Sequence, residues 1–250
     1  MVMAAAAQTW YSVVRGGNRR GGIGVGMRSG GYNVATPGKI LDAAEYLFAQ
    51  KHYGAATLKE IAQKASVNVN QIVYHFGQKD SIVRDVILRR AGVLTNERLR
   101  LLDDYSRIVG PDSVEIEPLV RAFAEPYFQR LQSNDPGWRN YAQFIGRVVW
   151  DGKLTDIFAE AFNEAAEQYI LAFRRALPSL SYQDSVRAFQ FLLAVIYGST
   201  TNDRRINALA QNDRLATDYA GYHNALVPFV AAGIERLAAK ASEGGRTHEL

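Results

Sequence analysis

The chain of 250 residues contains no cysteine. That excludes disulfides, zinc–thiolate centres and cysteine nucleophiles, and it suits a reducing cytoplasm, where the protein is expected to reside. Long apolar runs are also missing: nothing approaches the ~18 residues of a membrane span, so no membrane partner is expected. The longest candidate, Phe189 to Tyr197, reads as a buried helical segment. The opening residues lack a basic start followed by an unbroken apolar stretch and do not read as a secretory signal. Histidine is sparse. His52, His75, His223 and His248 are scattered, with neither His-Glu-x-x-His nor a pair at one-turn spacing. Ser179, Ser181 and Ser185 lack the context of a nucleophile elbow. Glu160, Glu164 and Glu167, with no nearby histidine, read as a solvated helix face. No catalytic residue, metal site or cofactor is therefore expected, and the chain is not expected to be an enzyme.

Charge is present but unevenly divided. Residues 1–37 hold four Arg and no acid, and residues 38–100 hold ten Lys/Arg against six Asp/Glu. Residues 101–250 reverse the balance, with fifteen basic against nineteen acidic side chains. A basic N-terminal part joined to an acidic C-terminal part fits one end that faces phosphates and one that does not. Residues 1–36 are rich in Gly and Arg with no helical or strand period, and are expected to be a disordered extension. The run Gly21-Gly22-Ile23-Gly24-Val25-Gly26 does not complete a dinucleotide fingerprint, and no Gly-Lys-Ser/Thr follows it.

From Lys39 onward every periodic segment has a helical repeat, and neither strand alternation nor internal repeats are found. The expected fold is all-α, with nine helices. The first runs from about Gly38 to Lys51 and buries Ile40, Leu41, Ala44, Leu47 and Phe48. Residues 57–76 then read as two short helices joined by a tight turn. Thr57 with Glu60 forms a capping box, and Asn68 with Gln71 repeats that logic for the second helix. In this second helix Ile72, Val73 and Phe76 can turn inward while Val69, Asn70, Gln71 and Tyr74 project outward. This is the helix-turn-helix arrangement that reads a DNA major groove. A fourth helix starts near Gln78 and continues to about Asp103, with Ile82, Val86, Val93 and Leu94 among its apolar positions. Pro118 suits the first turn of a helix through Gln132, and Asp135-Pro136 suits the start of one to about Trp150. Further helices are expected from Thr155 to Leu177 and from Tyr182 to about Asn202. A polar loop, Asp203 to Arg214, then leads to a last helix ending near Lys240, which Pro228 should kink or begin.

The segment from Lys39 to about Arg90 resembles the N-terminal domain of the TetR family of transcriptional regulators. The resemblance rests on ILDAAEYLFAQKHYGAATLKEIAQKA, on Val73 to Phe76 (VYHF) and on Gly77 to Ile82 (GQKDSI). Ser66 stands where the family usually has Gly, and Asn70, Gln71 and Val73 also depart from its common residues. The resemblance implies an N-terminal three-helix helix-turn-helix DNA-binding domain, residues 37–84, and a larger helical-bundle domain for effector binding and dimerisation, residues 85–242, with a disordered tail at 243–250. It implies a homodimer that binds a double-stranded DNA operator and responds to a small-molecule effector. Carried onto this sequence, it puts Val69, Asn70, Gln71, Val73, Tyr74 and His75 at or near the groove. Asn and Gln can pair bidentately with adenine, worth ~1–3 kcal/mol of discrimination per good contact. Thr57, Tyr74 and Lys79 suit phosphate contacts. His75 has a second reading, closing the packing between the third and fourth helices.

The middle of the chain is rich in aromatic residues. Phe123, Tyr127, Trp138, Tyr141, Phe144, Trp150, Phe162, Tyr169 and Phe173 are candidates to line an effector pocket, with Arg147 as an anchor for an anionic group. Each aromatic also has an ordinary reading as core. The function that follows is a ligand-responsive regulator, a repressor released from a palindromic operator by a small apolar or aromatic effector. One alternative keeps the repressor and makes the effector a fatty acyl-CoA. The other, of a different class, is a small-molecule carrier or enzyme with a vestigial helix-turn-helix.

Overall fold

The computed structural model describes residues 35–110, 113–201 and 204–245, and the described residues hold ten α-helices and no strand. They are α1 Ala35–Gln50, α2 Leu58–Ala65, α3 Val69–Phe76, α4 Lys79–Val109, α5 Ile116–Gln132, α6 Pro136–Val148, α7 Thr155–Ala176, α8 Tyr182–Gly198, α9 Arg204–Ala210 and α10 Tyr219–Gly245. The fold class is as expected. The extra helix, α9, lies in the segment read as a polar loop, and its seven residues are too few to show a helical period against their neighbours.

Several boundaries differ from the sequence reading. Of the extension assigned to residues 1–36, only Ala35 and Thr36 are described, and they open α1; residues 1–34 lie outside the described residues. At the other end α10 continues through Gly245, beyond the expected stop near Lys240, and residues 246–250 lie outside the description. Pro228 sits inside α10 and does not begin it. Helix α5 starts at Ile116, which places Pro118 within its first turn, where a missing N–H costs nothing. Helix α4 runs without a break through residue 84, so one rod about 46 Å long at ~1.5 Å per residue belongs to both the N-terminal head and the helical body. Its Val93 is 42% exposed, contrary to the apolar stripe expected there.

The buried residues form one continuous core from Ile40 in α1 to Ala238 in α10. In the body, α10 lies along α5, α4 packs on α5 and α7, and α7 packs on α8. Buried tyrosines tie these rods together by single hydrogen bonds. The Tyr141 hydroxyl donates to Ile87 O at 3.3 Å, Tyr169 donates to Arg98 O at 2.9 Å, and Tyr127 shares a 3.2 Å bond with Thr200 Oγ1. Burial raises the pKa of all three hydroxyls, so they remain donors at any physiological pH.

The head is fixed to the body where α1 meets α6 and α4. Glu45, 1% exposed, takes Arg90 through Nε to Oε2 at 2.6 Å and Nη2 to Oε1 at 2.9 Å, and Arg89 Nη2 at 3.0 Å. Arg90 also reaches Asp135 at 3.1 Å and lies over the Trp138 ring, 4.6 Å from its centroid. Burial works against the Arg90 charge, and the bonds to Glu45 and Asp135 outweigh it, so its pKa is raised. These bonds hold the guanidinium in place against Gly137, where a Cβ would stand 2.0 Å from Arg90 Nη2.

Candidate nucleic-acid interface and cavity

The start of α2 is built as its sequence implies. The Glu60 amide donates to Thr57 Oγ1 at 3.2 Å, and the Thr57 amide donates to Glu60 Oε2 at 2.9 Å. Lys51 Nζ bonds Glu60 Oε1 at 2.6 Å, and this bond, followed by those from Thr57, lowers the Glu60 pKa to about 2. Helix α2 ends in a Schellman turn, with Val67 N donating to Ala62 O at 3.0 Å and Ser66 N to Gln63 O at 3.2 Å. The turn requires a left-handed residue, and Ser66 takes φ 56°, ψ 45° in the place where glycine would carry no Cβ penalty.

Helix α3 begins on a second box. Asn70 N donates to Asn68 Oδ1 and Asn68 N to Gln71 Oε1, both at 2.9 Å. Gln71 therefore has its carbonyl committed to the cap and offers only its amide donors outward. Asn70 has its whole side chain available on the exposed face. Of the other candidate readers, Val69 is half-buried, Val73 is 49% exposed and Tyr74 is 71% exposed. Val73 was expected to turn inward. Burial falls instead on Ile72, with Phe76 half-buried four residues later on the same face. His75 is exposed, in edge contact with the rings of Tyr74 and Phe76, and does not close the packing between α3 and α4. Thr57 is exposed at the start of α2. Lys79 Nζ donates to Gly54 O at 2.8 Å and Ala56 O at 3.1 Å, which ties the turn before α2 to the start of α4. Two of its three donors are thereby engaged.

The aromatic candidates of the body divide into two groups. Phe123, Trp150 and Phe162 line a cavity of about 290 Å³ bounded by α4, α5, α7 and α8. Tyr127, Tyr141, Phe144, Tyr169 and Phe173 are core, and Trp138 packs under Arg90 away from this cavity. Arg147 donates to Ala49 O at 2.6 Å, joining α6 to α1. At the mouth stand the exposed Trp150, Thr155 and Asn163; at the closed end stand the buried Phe123, Phe189, Tyr197 and Arg98. Arg98 escaped the sequence reading because α4 carries many charges. The signal was nonetheless there, since Arg98 stands four residues from both Leu94 and Leu102 on the apolar stripe.

The turn between α6 and α7 touches both regions. Val149, Trp150 and Thr155 belong to the cavity wall, while Asp151 Oδ2 accepts from the Tyr53 hydroxyl at 3.0 Å, just before α2. A backbone bond from Lys153, then the bond from Tyr53, lowers the Asp151 pKa and keeps it a charged acceptor. Phe191 of α8 and Phe229 of α10, 55% and 72% exposed, line an open apolar groove of about 690 Å³ with Ala194, Ala232 and Gly233.

Comparisons with known proteins agree with this geometry. Residues 40–86 match the model of bacterial regulatory proteins of the tetR family, and residues 121–233 match the tetracyclin repressor-like C-terminal domain. A probable helix-turn-helix transcriptional regulator of Bacillus subtilis, YttP, is 37% identical over 54 residues, 22% of this chain and 26% of that protein. The chain thus aligns with about a quarter of this curated relative's length. Among solved structures, the TetR family transcriptional regulator PfmR of Thermus thermophilus superposes with a TM-score of 0.51 at 17% identity, over 76% of this chain and 94% of that one. GusR of Salmonella enterica gives a TM-score of 0.49 at 15% identity, over 81% and 96%. With a head model and a body model of one family matched in order along an all-α chain, the protein belongs to the TetR family of bacterial regulatory proteins.

Proposed function

We propose that the protein is a homodimeric repressor whose two α3 helices read the halves of a two-fold symmetric operator, and which a small effector in the α4–α5–α7–α8 cavity releases. The observation that carries the DNA reading is the exposed face of α3, where Asn70 and Tyr74 are exposed on a helix fixed by two caps and a buried Ile72. Asn70 is the base reader, able to meet adenine with donor and acceptor together. Val73 meets a thymine methyl group. Tyr74, Thr57 and the remaining donor of Lys79 serve phosphates. Gln71 and His75 flank this face, and Gln71 contributes only its amide donors while its cap stays closed.

Two further observations support the rest of the reading. The groove beside Phe229 has small residues, Ala194, Ala232 and Gly233, that let a second copy of α8 and α10 approach closely as a four-helix contact. The α6–α7 turn offers a short route from cavity to head. An occupant that shifts Val149 and Trp150 moves Asp151 and its bond to Tyr53, and such coupling is typically ~1–3 kcal/mol. A fatty acyl-CoA effector finds less support, since the exposed lining residues Trp150, Thr155 and Asn163 bring no cation for its phosphates.

The test is selection of bound duplexes from a random pool. The wild type should return a two-fold symmetric motif, and Asn70→Ala should lose preference at one position in each half while keeping the remainder. A chain that enriched no motif would instead favour a carrier or enzyme with a vestigial helix-turn-helix.

A further inference from the structure

Arg98 is 1% exposed, in the middle of the longest helix, at the closed end of the cavity. Its Nε donates to Phe123 O at 2.9 Å and its guanidinium lies 3.8 Å from the Phe123 ring centroid. Tyr197 lies beside it, and the guanidinium works against the burial that raises the Tyr197 pKa. Its Nη2 is buried without a hydrogen-bond partner. Among the described residues no carboxylate stands within ion-pair distance of it. Arg90, the other deeply placed arginine, has both Glu45 and Asp135. Arginine cannot escape burial by losing its proton, so this site holds a permanent positive charge without a counter-charge. The Phe123 carbonyl explains the Nε bond. A carbonyl and an aromatic face do not neutralise a full charge, and a neutral donor would have met the carbonyl as well.

We propose that the effector is a small organic anion, a carboxylate on an apolar body, and that Arg98 is the group that selects it. This rests on the cavity being the effector site. The walls leading to Arg98, among them Phe158, Phe162, Phe189 and Leu193, are apolar and exclude a hydrophilic body. A cavity of about 290 Å³ is at the small end of ligand sites. The carboxylate enters first, meets the guanidinium in a charge-assisted bond away from water, and leaves the body among the phenylalanines. An inorganic anion would gain the charge and waste the walls.

Calorimetric titration of the full-length protein with 3-phenylpropanoate, 3-phenylpropanamide and 3-phenylpropylamine tests this, with sodium phosphate as the fourth probe. The carboxylate should bind at least tenfold more tightly than the amide, and the amine and phosphate should not bind measurably. Arg98→Met should bring carboxylate and amide to equal affinity. If that variant does not fold, Arg98→Lys, which keeps the charge and loses the planar fork, should narrow the preference without removing it. Equal affinity of carboxylate and amide in the wild type overturns the inference and leaves the cavity as an effector site. Binding of the amine or of phosphate as tight as the carboxylate overturns it too. Binding of none of the four overturns both the inference and the assignment of the cavity.

Discussion

Single residues carry the departures from ideal local structure, and two of these can be measured. Ser66 holds a left-handed conformation that costs an L-residue ~1–2 kcal/mol, partly offset against glycine by the extra unfolded-state freedom glycine brings. Ser66→Gly should therefore stabilise the protein by about 0.5–1 kcal/mol, seen as a higher midpoint of urea unfolding with an unchanged slope. His223 offers a second test. It is buried with its Nε2 3.1 Å from Glu125. Burial lowers its pKa, Glu125 pulls the other way, and Arg121 reinforces the lowering. The unfolded chain takes up a proton at His223 near the ordinary value of 6.5 and the folded one only at lower pH, so stability is complete above 6.5 and falls as pH drops below it. Between about pH 7.5 and about pH 5.5 the wild type should lose more melting temperature than His223→Gln. Equal losses would show that His223 charges as readily in the folded protein. The caps at Thr57 and Asn68 were legible in the sequence because capping is local chemistry within four residues. The divided role of Gln71 was not, since only the structure shows which of its atoms the cap engages.

At the scale of elements, the helices of the head were legible because each has a cap and a narrow apolar stripe. The errors fell where packing overrides pattern. Val73 looked apolar enough for the core, yet α3 is short and buries one face, and Ile72 and Phe76 occupy it. The aromatic set of the body carries two readings in the sequence, pocket lining and ordinary core, which pattern alone does not separate. Most of it forms inter-helix core, because contacts such as that of Tyr127 with Thr200 join residues far apart in the chain. The junction of α1, α4 and α6 was likewise invisible in one dimension. Glu45→Ala should destabilise the protein by about 3 kcal/mol, since it leaves two arginines without their buried partner. It should also loosen the head, read as faster amide hydrogen exchange in α1. Retention of wild-type melting temperature and exchange would mean that the network is dispensable.

Over the whole molecule, the charge division of the sequence does not follow the two matched family models, since residues 40–86 hold five basic and five acidic side chains and residues 121–233 hold eleven of each. On α8 and α10 Phe189, Leu192, Ile196, Leu226, Val230 and Ile234 are core, while Phe191 and Phe229 are exposed on the face proposed to meet a second copy. Phe229→Asp should accordingly give folded monomers with unchanged helicity and at least a tenfold loss of operator affinity; a variant dimer of wild-type mass would move the interface elsewhere. The proposed function stands on the exposed face of α3 binding duplex DNA by phosphate contacts and base reading together. Fluorescence anisotropy of the full-length protein tests it most directly, on the duplex it selects and on an unrelated duplex of equal length, between about 50 and about 200 mM salt. The selected duplex should bind at least ~10³-fold more tightly than the unrelated one, and both affinities should fall linearly on a log–log plot. Equal affinity for the two duplexes, or no dependence on salt, would rule out such a reading face on α3.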